Sequence, residues 1–298
     1  MRCWVRAIQL LRNPLVAGAA LLALQSGTNG MSMVAPQNGT LVVMIPTSEG
    51  LVVSADTRHT MFGVTCDSDT KLYFPKNSDR TVVTVTGTAN FLAVKLPFVS
   101  DPCEEIARSP VLLSVPKIVL AYLEEKDATA ETLSLAELAQ RCMARTQGLL
   151  EFPPMRERYI GGEIYHVVVA SYDADKRETA IRSFTMNLPT ATQMKADQHT
   201  VANYRMSDVP DWRAYGQGQY MVDNVLNGVG RKFVGSDYDE FLKAKTVSEV
   251  TVELAARVTR NLVEATSKTS ELLPITTGVG GAIHTYLIDG KSAPKEMK

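Results

Sequence analysis

The pattern of apolar and polar positions changes period several times along the chain. Residues 40–46 (TLVVMIP) and 51–56 (LVVSAD) are rich in β-branched side chains and flank TSEG, a turn signal, so they predict a hairpin. Residues 70–74 (TKLYF) and 80–87 (RTVVTVTG) predict two more strands around the turn PKNSD. From 88 to 148 the pattern turns helical. Ser134 and Glu137 have capping-box spacing, with Leu138, Cys142, Thr146, Leu149 and Leu150 on the apolar side, and Pro153-Pro154 as the stop. Residues 163–186 predict a second hairpin turning at Asp173-Ala174-Asp175. A second capping box, Thr246 to Glu249, precedes Val247, Val250, Leu254, Val258 and Leu262, which form one helical face. Residues 281–290 (GAIHTYLIDG) predict a last strand. Antiparallel strands segregated from helices give an α+β fold class.

Composition adds limits rather than an identity. The chain has 298 residues, 45% hydrophobic and 21% charged, with a formal net charge of −1. It carries no basic footprint, so nucleic acid and anionic membrane are poor partners for it. The four cysteines, Cys3, Cys66, Cys103 and Cys142, are far apart and read as scattered free thiols. The four histidines, His59, His166, His199 and His284, are equally isolated, so neither a metal nor another cofactor is expected. No P-loop motif is present.

The first thirty residues stand apart. Arg2, Arg6 and Arg12 precede PLVAGAALLAL, an apolar run well short of the ~20 residues that span a bilayer. The segment has the charge and length of an export signal, followed by a poor cleavage site; the other reading is an upstream extension before Met31 or Met33. The expected division is a leader over 1–39, signal-like over 1–30, and a single domain over 40–298. The expected location is cytoplasmic, or exported if residues 1–30 act as a signal.

One stretch carries candidate chemistry. Gly39-Thr40 heads the first strand, Asp56 ends the second as ADTR, Lys71 follows in DTKLYF, and Gly87 closes a strand as TGTAN. Singly, these residues have ordinary readings: Thr40 is a strand residue, Asp56 a turn residue, Lys71 an edge charge. Their joint order resembles the β-type subunits of the proteasome and related bacterial ring proteases, which are N-terminal nucleophile hydrolases. The resemblance runs from Thr40 to about Asp289, with residues 214–220 (AYGQGQY) and 278–289 (GVGGAIHTYLID) as weaker echoes of two Gly-rich motifs.

The resemblance implies a four-layer αββα sandwich and a threonine peptidase that exposes its own nucleophile. Cutting between Gly39 and Thr40 would give Thr40 a free α-amine beside its weakly nucleophilic hydroxyl. An amine with a pKa of about 7.7–8.0 can serve as base near neutrality. Lys71 would disfavour protonation of that amine, Asp56 would hold Lys71, and the Gly87 N–H would face the developing oxyanion. Thr60, Gly87 and Ala89 would offer main-chain partners to an extended peptide, and Val85 would line an apolar specificity pocket. Arg58 reads as structural and His59 as wall or rim of that pocket. The implied assembly is a homo-oligomeric ring, or double ring, that admits unfolded polypeptide and is served by a separate ATPase.

The match departs from the family in the supporting residues. Gln217 stands where a serine is common, and Thr276 and Val279 stand where an aspartate and a serine are expected. Two other readings follow: a ring-forming scaffold of weak or no activity, and a hydrolase of a small amide.

Overall fold

The computed structural model describes residues 32–33, 39–61, 64–95, 101–273 and 278–298. In chain order the strands are β1 (Ser32–Met33), β2 (Leu41–Pro46), β3 (Leu51–Asp56), β4 (His59–Met61), β5 (Val64–Cys66), β6 (Leu72–Tyr73), β7 (Thr81–Gly87), β8 (Asn90–Leu92), β9 (Val94–Lys95), β10 (Val111–Ser114), β11 (Gly162–Asp173), β12 (Glu178–Thr190), β13 (Gln193–Tyr204), β14 (Arg213–Gly216), β15 (Ile283–Ile288) and β16 (Lys295–Glu296). The α-helices used below are α1 (Pro102–Arg108), α2 (Val115–Lys126), α3 (Leu135–Leu150), α4 (Pro153–Tyr159), α5 (Ser236–Phe241) and α6 (Val252–Leu272). No helix among the described residues is long and apolar enough to cross a membrane.

The chain divides into two compact units, one of residues 1–34 with 93–110, the other of 35–92 with 111–298. In the smaller unit β1 pairs antiparallel with β9, and α1 is capped by Asp101, whose carboxylate accepts from the N–H groups of Cys103 and Glu104.

The larger unit is α+β, with antiparallel sheets and flanking helices. One five-stranded sheet has the order β14-β2-β3-β15-β16, the other β13-β12-β11-β7-β6. Strands β2 and β3 are buried on both faces, which explains their continuous apolar runs. Leu41, Val43, Ile45 and Val52 pack on one face with Leu254, Val258 and Leu262 of α6. Val42, Met44, Leu51 and Val53 pack on the other with Val82, Val168 and Ile181 of the second sheet. Helix α2 packs against β7, and α3 against β12 and β13.

Several local signals act at positions other than those expected. Ser134 does cap α3, accepting from the Glu137 N–H, but Glu137 turns to Tyr122 and Lys126 instead of closing the box. Pro153 opens α4 as well as following α3, because its missing N–H costs nothing in a first turn. The box at Thr246–Glu249 starts only a 3-10 turn over Val247–Glu249; Glu249 bonds the Lys245 N–H, Val250 is extended, and Thr251 caps α6 through the Leu254 N–H. The cysteines also need correction. Cys66 and Cys103 each take part in a disulfide, and among the described residues Cys142 is the free thiol, buried in the core with its pKa pushed up to about 12.

A polar group interrupts the space between the sheets. His166 on β11 has its Nε2 buried with no hydrogen-bond partner among the described residues, 5.6 Å ring to ring from Tyr215 and 6.0 Å from His199. Burial, with His199 adding to it, holds its pKa down at about 4 instead of 6.5. The folded chain therefore binds fewer protons than the unfolded chain between those values. His166 costs nothing above pH 6.5 and destabilises as pH falls to 4, by on the order of 3 kcal/mol. Urea midpoints measured across that window should fall more steeply for the wild type than for His166→Gln.

Candidate active site

The site is built around the peptide units on either side of Thr40. Gly39 adopts φ +94°, and a Cβ there would lie 2.5 Å from the Gly278 backbone, so only glycine fits. Thr40 follows at the head of β2, 7% exposed. Its carbonyl accepts from the Gln217 N–H at 2.8 Å. The next N–H, of Leu41, donates to Asp56 Oδ1 at 2.9 Å. The preceding carbonyl, of Gly39, accepts from Lys71 Nζ at 2.6 Å. Both peptide groups of Thr40 are thus fixed.

Asp56 sits at the end of β3 and Lys71 just before β6, respectively 1% and 4% exposed. The three N–H groups of a lysine ammonium have three acceptors here: Gly39 O, Asp56 Oδ1 at 3.2 Å, and Arg58 O. Asp56 Oδ2 in turn accepts from the Gly280 N–H at 3.0 Å. Burial raises the Asp56 pKa, opposed by Lys71 and the two backbone N–H groups. Burial lowers the Lys71 pKa, opposed chiefly by Asp56. The pair is therefore held by geometry against a large desolvation cost. Removing one partner strands the other, so Asp56→Ala should lower stability by about 3–5 kcal/mol. The matching Asp56→Leu, Lys71→Met pair should lose less than the two single changes summed, as read from urea denaturation.

Three residues outside the predicted set, Thr57, Arg58 and Asp67, complete the frame. Arg58 forks onto Asp67 at 2.7 and 3.0 Å, and its N–H donates to Gly280 O at 3.0 Å. Thr57 Oγ1 donates to Asp67 O and accepts from the Ala282 N–H, each at 2.9 Å. Arg58 was expected to be structural; Asp67 carried no signal in the sequence.

The remaining predicted residues are distributed around this centre. Gly87 ends β7 with φ +77°, opposite Tyr165, and a Cβ there would meet the Ile164 carbonyl at 2.8 Å. Its neighbour Thr86 borders Gly216: a Cβ on Gly216 would lie 3.3 Å from Thr86 Cγ2 and 2.0 Å from Thr40 O. Val85 is buried opposite Val167, on the face of the sheet away from Thr86. The Ala89 N–H donates to Gly87 O at 3.1 Å and its carbonyl accepts from Val115 at 2.9 Å, so its main chain is already engaged. Thr60 lies on the β4–β5 ribbon, its hydroxyl 3.3 Å from that of Thr65. His59 is 6% exposed, and neither ring nitrogen has a partner among the described residues. Of the three departures, Gln217 meets Thr40 through its backbone and Val279 packs in the core beneath β2; Thr276 lies outside the described residues.

Among the described residues no group of three or more His, Cys, Asp or Glu could hold a metal ion. No protein-family model and no curated protein matches the chain significantly.

Proposed function

We propose that the chain is a threonine peptidase of the N-terminal nucleophile type, which frees Thr40 by cutting its own Gly39–Thr40 bond. One observation carries the reading: Lys71 Nζ lies 2.6 Å from the carbonyl oxygen of the residue before Thr40. An ammonium on that oxygen withdraws electrons from the carbon that the Thr40 hydroxyl would attack. Attack by Oγ1 forms an ester to Gly39 and breaks the C–N bond, with net transfer of the hydroxyl proton to the departing nitrogen. Water then hydrolyses the ester, leaving a Gly39 carboxylate and a Thr40 with a free α-amine. That amine serves as base when Thr40 attacks a substrate carbonyl, forming an acyl-enzyme that water releases. Lys71, pinned by Asp56 and Arg58 O, keeps positive charge beside the reacting atoms, and Gly87 supplies the oxyanion N–H.

The same reading takes the two five-stranded sheets and their helices as a four-layer αββα sandwich, and the assembly as a ring that takes in polypeptide with a separate ATPase. A scaffold of low activity is the second reading, and Val279 favours it: its apolar side chain offers no hydrogen bond where a serine would support the amine. Casein hydrolysis tests the peptidase. Turnover of short acyl-amides without any casein cleavage would move the assignment to a small-amide hydrolase, and no turnover of either would favour the scaffold.

A further inference from the structure

The faces of β7, β11 and β12 that meet the first sheet change character along their length. Val82, Val168 and Ile181 face Val42 and Met44 in the apolar core. Two residues further, toward Gly87, the same faces carry Thr84, His166 and Ser183, because side chains alternate along a strand. Thr84, Val168 and Ser183 stand in one row across the three strands, and His166 stands in the next, between Thr86 and Thr185. Tyr215 of β14 meets this patch from the first sheet, 5.6 Å ring to ring from His166, and β14 also packs on β7. Thr84 Oγ1, His166 Nε2, Ser183 Oγ and Tyr215 OH are all buried with no hydrogen-bond partner among the described residues. Thr84, Ser183 and Tyr215 are respectively 0%, 1% and 7% exposed. Buried polar atoms in native proteins nearly always have partners, and ordered water making about three hydrogen bonds is a common one. Diagonal neighbours across a sheet stand roughly 7–8 Å apart, too far for a direct bond and within reach of bridging water.

We propose that Thr84, His166, Ser183 and Tyr215 enclose ordered water that ties β14 to the second sheet, which makes Tyr215 a positioning residue for Thr40. The link to Thr40 is short. Tyr215 is followed by Gly216, whose Cα lies against the Thr40 carbonyl, and by Gln217, whose N–H holds that carbonyl. Whatever fixes Tyr215 therefore fixes this grip. A proton on His166 works against the tie. The ionisable groups on its side of the sheets are His199 and Asp197 of β13, Glu163 of its own strand, and Arg213 and Tyr215 of β14; β7 and β12 offer only hydroxyls beside it. Asp197 already bonds Asn187 and Lys195. Burial and His199 both oppose an imidazolium here, so one that forms draws solvent between the sheets.

The catalytic consequence rests on the proposed peptidase, but the water site is tested without it. Urea midpoints are measured for Thr84→Val, Tyr215→Phe and the double variant of the full chain. Each change removes one hydroxyl and keeps the shape of the side chain. Each single variant should have a lower midpoint than the wild type. The double variant should lose less than the two losses summed, because the shared water leaves with the first change. Higher midpoints in the single variants would mean hydroxyls that bond nothing, and simple addition would mean no shared water; either overturns the proposal. Hydrogen exchange reads the positioning. In Tyr215→Phe, amides of 41–44 and 213–217 should exchange about tenfold faster at about pH 7.5, with α3 unchanged. At about pH 4.5 the wild type should open at 213–217 more than His166→Gln does. Loss of the leader should slow about fivefold or more in Tyr215→Phe. Wild-type exchange at 213–217 in Tyr215→Phe, equal opening of the wild type and His166→Gln in acid, or wild-type leader loss in Tyr215→Phe would each overturn the positioning role. The expected midpoints and exchange with the leader kept in every sample would leave the water site standing and remove the peptidase.

Discussion

Thr40→Ala should purify as an uncut chain, while the wild type loses its leader and leaves the 259 residues that remain when 39 are removed from 298. Intact mass distinguishes the two at once. The substitution removes the hydroxyl and the γ-methyl at the head of a strand whose backbone is fixed by Gln217, Asp56 and Lys71, so the fold has little reason to change. Any loss of processing then reports chemistry. Thr40→Ser keeps the hydroxyl and should process, more slowly if the methyl group helps hold the attacking rotamer. Lys71→Met should slow processing by about a hundredfold or more, since it removes the donor on the Gly39 carbonyl. In Lys71→Met the buried Asp56 loses its cation as well, so its mass result is read beside its urea midpoint. A wild type that keeps residues 1–39 when folded, and a Thr40→Ala that differs from it in nothing, would sink the self-processing reading.

The strands that face apolar surface were legible because their patterns have one physical cause. Strands β2 and β3 are buried between α6 and a second sheet, which requires apolar side chains on both faces; β11 and β12 turn on an Asp173 carboxylate that accepts the Asp175 and Lys176 N–H groups. Strand β13 was not legible. Its sequence, QMKADQHTVANY, is polar because it forms an edge, and its strand state comes from pairing with β12 rather than from local preference. Strands β8 and β10 sit in a stretch read as helical for a similar reason: each is short and takes its state from the other.

The site divides along the same line. Asp56 and Lys71 are fifteen residues apart, and no local period brings them together; only their order beside Gly39-Thr40 suggested it. The pairing of Arg58 with Asp67 depends on how a three-residue ribbon folds back, which spacing does not encode. Gly216 and Gly280 stand out only as members of the two Gly-rich stretches, 214–220 and 278–289. Their use emerges only where a Cβ would strike Thr40 O or the Arg58 guanidinium.

Gly216→Ala should be the most damaging single-methyl change in the chain's centre, and Gly161→Ala is its control. Both glycines have left-handed backbones, φ +76° and +83°, so an alanine costs each roughly 1–2 kcal/mol in backbone strain. At Gly161 the added Cβ meets nothing within 4 Å, and the cost ends there. At Gly216 the Cβ would lie 2.0 Å from the Thr40 oxygen and 2.9 Å from its carbonyl carbon, atoms of backbone that no side-chain rotation can clear. Either β14 parts from β2 or the Thr40 carbonyl turns away from Gln217. The first breaks the Gly216–Leu41 pairing, and the second carries the Gly39 carbonyl off Lys71. Gly216→Ala should therefore lose several kcal/mol beyond its control, and any leader removal should fall with it. Urea midpoints of the two variants decide the matter. Equal losses would mean that β14 yields freely at Gly216, and that the close approach to Thr40 does not constrain the site.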